Sequence, residues 1–213
     1  MSAESEIGAL FSAAADAYGF SLSELQLAQL ARYVAMTMRW GRIANLTGAG
    51  TAMAFAREQV VDCLAVVPFA GHGHLLDVGS GNGLPGVVLA IVLPALSVTL
   101  LEPRAKRARF LTQVRIDLGL TNVEIICARV EDHRPLQPYD TVLARAFGAL
   151  AQFFAASRAS RGPHTRLLAM KAYLEPTELA DCGMPATTLR SIPLAVPGYA
   201  VRHLVVVEAG AVT

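Results

Sequence analysis

The spacing of apolar residues along this chain changes once, near residue 72. Before it the pattern is helical. Residues 5–18 are Ala-rich. Ser21 or Ser23 stands where it can cap a second helix, with Leu25, Leu27, Leu30, Val34 and Met38 on its apolar face. That helix is expected to fade near Trp40-Gly41, and Asn45-Leu46-Thr47-Gly48 reads as a loop. A third helix is predicted from about Thr51 to Val67, closed by Pro68 and Gly71. After residue 72, short apolar runs alternate with amphipathic segments. The run Leu75–Val78 precedes a helix over Val87–Leu93, with Pro85 placed for its first position. Val98–Glu102 precedes a helix over 104–118, and Val123–Cys127 follows. Thr141–Ala144 precedes a helix from Gly148 to Arg158, and Arg166–Met170 precedes a short acidic helix near Pro176. This is the rhythm of βαβ units on a parallel sheet. Thr188–Val196 and His203–Glu208 then read as a terminal hairpin turning at Pro197-Gly198-Tyr199. The predicted division is a helical segment, 1–71, and an α/β unit, 72–213.

Composition narrows the class. The 213 residues are 54% hydrophobic and 16% charged, which suits a packed core and excludes disorder as the main state. No apolar run reaches the about 20 residues that span a bilayer, so no membrane partner is expected. The first residues carry Glu4 and Glu6 rather than a basic leader. Cys63, Cys127 and Cys182 fit neither a disulfide framework nor a zinc site, so no metal is expected and a reducing, cytoplasmic setting follows. Net charge is +1, but it is unevenly spread. Arg104, Lys106, Arg107, Arg109 and Arg115 form one acid-free run; Arg145, Arg158, Arg161, Arg166 and Lys171 form another. Such runs suit a phosphate backbone, although any single Arg reads more simply as a solvated helix face.

The densest chemistry lies in Asp77-Val78-Gly79-Ser80-Gly81-Asn82-Gly83-Leu84-Pro85-Gly86. A strand runs into a glycine loop that opens a helix, so backbone approaches a ligand closely and unpaired N–H groups face it. Gly81 to Gly86 matches the dinucleotide fingerprint, a weak signal among 17 glycines. The fuller pattern, an acid two residues before the first of three alternating glycines, resembles motif I of class I S-adenosylmethionine (AdoMet) methyltransferases. A carboxylate there suits a ligand with a cationic amino-acid end and sits badly beside a pyrophosphate. AdoMet therefore fits better than a dinucleotide, and a ligand-free turn is the third reading. The terminal hairpin supports the first, since it would complete a seven-stranded methyltransferase sheet.

Glu102 ends the second predicted strand, where a carboxylate accepts hydrogen bonds from ribose hydroxyls. Glu131-Asp132 follows the third strand, in a loop that contacts adenine in such folds; two adjacent surface acids are an equal reading. Arg145 follows the fourth strand, where methyl donor and substrate meet. No Pro-Pro-Tyr-type motif stands there, which argues against an exocyclic amine target. The histidines, at 72, 74, 133, 164 and 203, are scattered and build no hydrolytic constellation. Methylation of an acceptor that carries a lone pair and no proton needs alignment rather than a base.

With these residues in place, the chain resembles the bacterial small-subunit ribosomal RNA (guanine-7-) methyltransferase family, RsmG or GidB. The similarity rests on Trp40-Gly41-Arg42-Ile43-Ala44-Asn45-Leu46-Thr47, on Asp77 to Gly86, and on Lys106-Arg107-x-x-Phe110-Leu111. Val130-Glu131, Arg145-Ala146-Phe147, Lys171 and Arg202 to Val206 follow in order. The resemblance implies an AdoMet-dependent enzyme acting on small-subunit rRNA or the 30S particle; a monomer is the expected state, which the sequence leaves open. It implies cofactor contacts at Gly79, Leu84, Val130, Glu131 and Arg145, which join Asp77, Gly81, Gly83 and Glu102, the cofactor-binding candidates of the loop and strand end. It also brings Asn45, Arg145 and Lys171 toward the RNA. The chain departs from the family at Glu102 (usually Asp), at Gln59 and Cys63 around the block holding Asp62, and at Ala144 and Ala172. Two rival readings are methylation of a small molecule and a non-catalytic nucleotide-binding regulator.

Overall fold

The computed structural model describes residues 3–44, 47–175, 177–195 and 201–208. Two helices come first, α1 (Ala3–Ala17) and α2 (Glu24–Ala44). Ser23 starts α2 with a capping box: its hydroxyl accepts from the Gln26 N–H, and the Gln26 side chain accepts from the Ser23 N–H. The helix continues past Gly41, because its flank is already packed; the Trp40 and Phe110 rings lie 5.7 Å apart. The predicted third helix is interrupted. Short α3 (Ala52–Phe55) and α4 (Val61–Leu64) flank a π-helical turn, Ala56–Val60. Such turns rotate the residues beyond them and recur at functional sites; here the turn leads into Asp62.

The strands are β1 (His74–Val78), β2 (Ser97–Leu101), β3 (Val123–Ile126), β4 (Thr141–Arg145), β5 (Arg166–Lys171), β6 (Leu189–Leu194) and β7 (Arg202–Val207). Among the described residues they form one sheet in the order β3-β2-β1-β4-β5-β7-β6. The first five pair in parallel, and β7 runs antiparallel between β5 and β6. Helices α5 (Gly86–Val92), α6 (Ala105–Asp117) and α7 (Leu150–Ala156) cover the sheet. The expected elements and order hold to within a few residues at their ends. The acidic helix near Pro176 does not: residues 177–182 form turns. The hairpin turn at 197–199 lies outside the described residues.

One core runs through the N-terminal helices and the sheet. Phe11, Leu30, Tyr33 and Phe55 belong to the same buried cluster as Leu75, Leu89, Leu100 and Val206. Polar groups of α2 reinforce it. The Gln26 amide donates to the Ile91 and Val92 carbonyls, and Gln29 to that of Leu118. Two glutamines of one helix thereby satisfy the bare carbonyl ends of α5 and α6. A second cluster on the other sheet face is centred on Val142, Phe153 and Val205.

Candidate active site

The strand ends β1 and β2 set the first half of the site. Gly79 and Ser80 both donate backbone N–H bonds to the Leu101 carbonyl, at 2.8 and 3.1 Å, so the loop turns across the end of β2. Gly79, Gly81 and Gly83 all have φ between +61° and +100°, a region L side chains rarely adopt. Gly79 is exposed, and a Cβ built there would meet nothing within 4 Å. At Gly86 a Cβ would lie 2.3 Å from a Leu100 methyl and 2.6 Å from Asp77 Oδ2. Gly86 is thus needed for packing, and Gly79 opens onto free space. Leu84 is buried beneath the loop.

Asp77 is buried under that loop rather than exposed on it. Its Oδ2 accepts from the Gly86 N–H at 3.0 Å and so caps the start of α5; Pro85 stands one position earlier than expected, at the cap itself. Oδ1 is buried without a hydrogen-bond partner. Burial pushes the Asp77 carboxyl up to about 7, against the Gly86 bond that holds it down. Glu102 is equally buried. Its two oxygens accept from the Gly81 N–H at 2.9 Å and the Arg104 N–H at 2.8 Å. On the protein side of the loop, the buried Tyr33 hydroxyl donates to the Asn82 carbonyl at 2.8 Å.

The ends of β4 and β5 set the second half. Arg145, the last residue of β4, donates from Nε to Asp62 Oδ2 at 3.3 Å. Arg202 approaches the other oxygen, with Nε 3.8 Å from Asp62 Oδ1, too long for a hydrogen bond. Burial raises the Asp62 carboxyl above the usual range, while Arg145 and then Arg202 hold it down. Ala146, just after Arg145, has φ +57°, a strained value for a residue with a Cβ. Lys171, the last residue of β5, donates to the Gly148 carbonyl at 2.6 Å and to Glu178 Oε1 at 2.7 Å. The same Glu178 oxygen accepts from the Leu150 N–H and so caps α7. These residues surround a pocket of about 390 Å³ lined by Asp62, Arg145, Lys171, Tyr173, Arg202 and His203.

The structure therefore brings Arg145 and Lys171 to one pocket and gathers Asp77, the glycines and Glu102 at the adjoining strand ends. Val130 is buried in the second cluster, and the Glu131 side chain is exposed in a groove beside Arg134 and Arg158. Asn45 lies outside the described residues. Sequence reading passed over Tyr33 and Glu178, and took Asp62 only as the end of a matching block. For Asp62 a signal existed: a lone carboxylate inside the apolar run Val60-Val61-Asp62-Cys63-Leu64.

The donor set fits AdoMet. An open glycine turn, a buried carboxylate with one unpartnered oxygen, and an acid ending the next strand suit a ligand with an amino group and ribose hydroxyls. Among the described residues no group of acids, histidines and cysteines is arranged to hold a metal, and no helix is long and apolar enough to cross a membrane. This sheet order with that loop defines a class I AdoMet-dependent methyltransferase. The fold is similar to the S-adenosylmethionine-dependent methyltransferase SibL, with a TM-score of 0.59, 19% identity, and 85% of this chain and 69% of that one covered.

The family model GidB, rRNA small subunit methyltransferase G, matches residues 26–205, and the chain belongs to that family. It is 39% identical over 196 residues to the ribosomal RNA small subunit methyltransferase G of Pseudomonas aeruginosa, covering 91% of this chain and 92% of the relative. The protein of the same name from Nitrosospira multiformis is 40% identical over 200 residues, covering 89% and 92%.

Proposed function

We propose that this protein transfers a methyl group from AdoMet to ring nitrogen 7 of a guanine in small-subunit ribosomal RNA. The observation that carries the reading is the family match over residues 26–205, which includes both the glycine loop and the Arg145 pocket. When bound, AdoMet supplies an electrophilic methyl group on a sulfonium. Asp77, Gly79, Gly81, Gly83, Leu84 and Glu102 would hold it, with Val130 and Glu131 at its adenine end and Arg145 beside both cofactor and RNA.

The chain's own residues position rather than exchange protons. Nitrogen 7 has no proton to lose, and Arg145 stays charged at any working pH. Asp62 fixes the Arg145 guanidinium at the pocket rim, where it can orient the base or a flanking phosphate. Lys171 is held in place by Glu178 and lines the same pocket. Asn45 and Lys171 complete the RNA-facing side in this reading. Residues 1–71 act as a buttress for the glycine loop and residues 72–213 as the catalytic unit; the protein acts as a monomer on RNA within or on its way to the 30S particle.

The test is mass or primer-extension mapping of 7-methylguanine in rRNA from cells with and without the gene, with titration of the purified protein by AdoMet and NAD. Loss of one 7-methylguanine in the deletion, and binding of AdoMet but not NAD, is expected. An unmodified site in both strains, or binding of NAD alone, overturns the reading.

A further inference from the structure

A second concavity, of about 810 Å³, lies against the outer side of α7. Phe154 and Ala155 of that helix form one wall, Met184 and its neighbours the other, and Arg158 and Arg161 close it. Along β5 it lies at the other end from Lys171 of the methyl-transfer pocket. The arginines stand on the turn that enters β5, while Lys171 stands where β5 ends.

The charges here are unmatched. No acidic residue lines this concavity, and neither arginine forms an ion pair among the described residues. Arg161 Nε and Nη1 are buried and have no hydrogen-bond partner. Burial, together with the like charge of Arg158, works against the Arg161 guanidinium. An arginine does not escape this by losing its proton. A half-buried guanidinium beside a like charge is unfavourable, and an anion seated in the concavity relieves that repulsion. An adjoining groove shares Arg158 and adds Arg134, whose guanidinium is fixed by the Glu131 and His133 carbonyls. Glu131 is the acid in that groove, so the two adjoining spaces together are lined by three arginines and one carboxylate. Guanidinium forks pair with phosphate bidentately, and two in neighbouring spaces suit a phosphate group or successive phosphates.

We propose that Arg158 and Arg161 form a phosphate-binding site, separate from the methyl-transfer pocket. Its ligand is a phosphate group, carried either by the RNA backbone or by a free anion. The first source rests on the RNA reading above; the second does not.

The experiment compares the full chain with Arg158→Gln and Arg161→Gln. One arm follows melting temperature in inorganic phosphate against chloride at constant ionic strength. The other follows anisotropy of a labelled single-stranded RNA oligonucleotide across a salt series. AdoMet titration and melting in chloride report on the fold and on the other pocket. Arg158 is exposed, so its variant keeps the test valid should Arg161→Gln melt early. A phosphate-specific stabilisation lost in both variants establishes a free-anion site. RNA affinity weakened about tenfold, with a salt slope about 0.7 to 1 smaller per arginine and no phosphate stabilisation, establishes a backbone contact. Variants that match the parent in both arms overturn the proposal. Such a result with AdoMet binding and methylation intact leaves the methyltransferase reading standing.

Discussion

The hydroxyl of Tyr33, on α2, donates a 2.8 Å hydrogen bond to the carbonyl of Asn82, inside the glycine loop. Both residues are buried, and the Tyr33 ring lies 6.1 Å from that of Phe55. An N-terminal helix thus holds the backbone of the proposed cofactor loop. Tyr33→Phe keeps the ring and leaves the Asn82 carbonyl unpaired, at about 1–3 kcal/mol. We expect a lower melting temperature and AdoMet affinity reduced several-fold by calorimetry. Unchanged affinity would show that the loop keeps its shape without α2.

Asp62 links to Arg145 across two elements far apart in sequence. Asp62→Ala leaves a largely buried guanidinium without its counter-charge, and a loss of about 3 kcal/mol is expected in denaturant unfolding. Arg145→Ala should instead lower methylation far more than stability, with AdoMet affinity falling too. Should Arg145→Ala unfold to the same extent as Asp62→Ala, the arginine is a structural strut and not part of the chemistry.

Asp77 makes a pH-dependent claim. Its folded carboxyl is pushed up to about 7 by burial, against about 3.9 in an unfolded chain. The folded form therefore holds the proton more tightly. Its contribution to stability is complete below about pH 4 and is lost as pH rises through about 7. Compared with Asp77→Asn, the parent should lose stability progressively across that window. The ammonium end of AdoMet would favour the ionised carboxylate, so binding near neutral pH should release a proton, visible as buffer-dependent heat. Asp77→Ala should weaken AdoMet binding severely. Parallel stability curves for parent and Asp77→Asn would remove the claim.

Two glycines of the loop should fail differently. Gly86→Ala drives a methyl group into Leu100 and Asp77, and a loss of about 1–3 kcal/mol or more is expected in thermal unfolding. Gly79→Ala carries a backbone penalty of about 1–2 kcal/mol for its positive φ and meets no neighbour. Its larger effect should appear in AdoMet affinity. The order of the two variants in melting and in titration checks the assignment of the open side.

Much of this was legible in the chain. The change of apolar period after residue 72 located the sheet, and the continuous runs at Leu75–Val78 and Thr141–Ala144 marked strands buried on both faces. Glu102 and Arg145 were legible because each closes an apolar run, and Asp77 because it stands two residues before the first glycine of the loop. What escaped were polar side chains whose partners are distant in sequence. Gln26 and Gln29 look like ordinary surface residues of a helix; only folding sets them on the carbonyl ends of α5 and α6. Glu178 likewise shows no pattern until β5 and the start of α7 converge on it. The π-helical turn before Asp62 left no trace, since Ala56–Val60 keeps the same helical character in sequence.

The glutamines of α2 carry one more implication. A shortened protein begun at residue 72 would strip the plugs from two helices and uncover Leu89, Val114 and their neighbours to water. Such a fragment would clump rather than work as a miniature enzyme, so anyone trimming this molecule for engineering must keep its opening hairpin of helices.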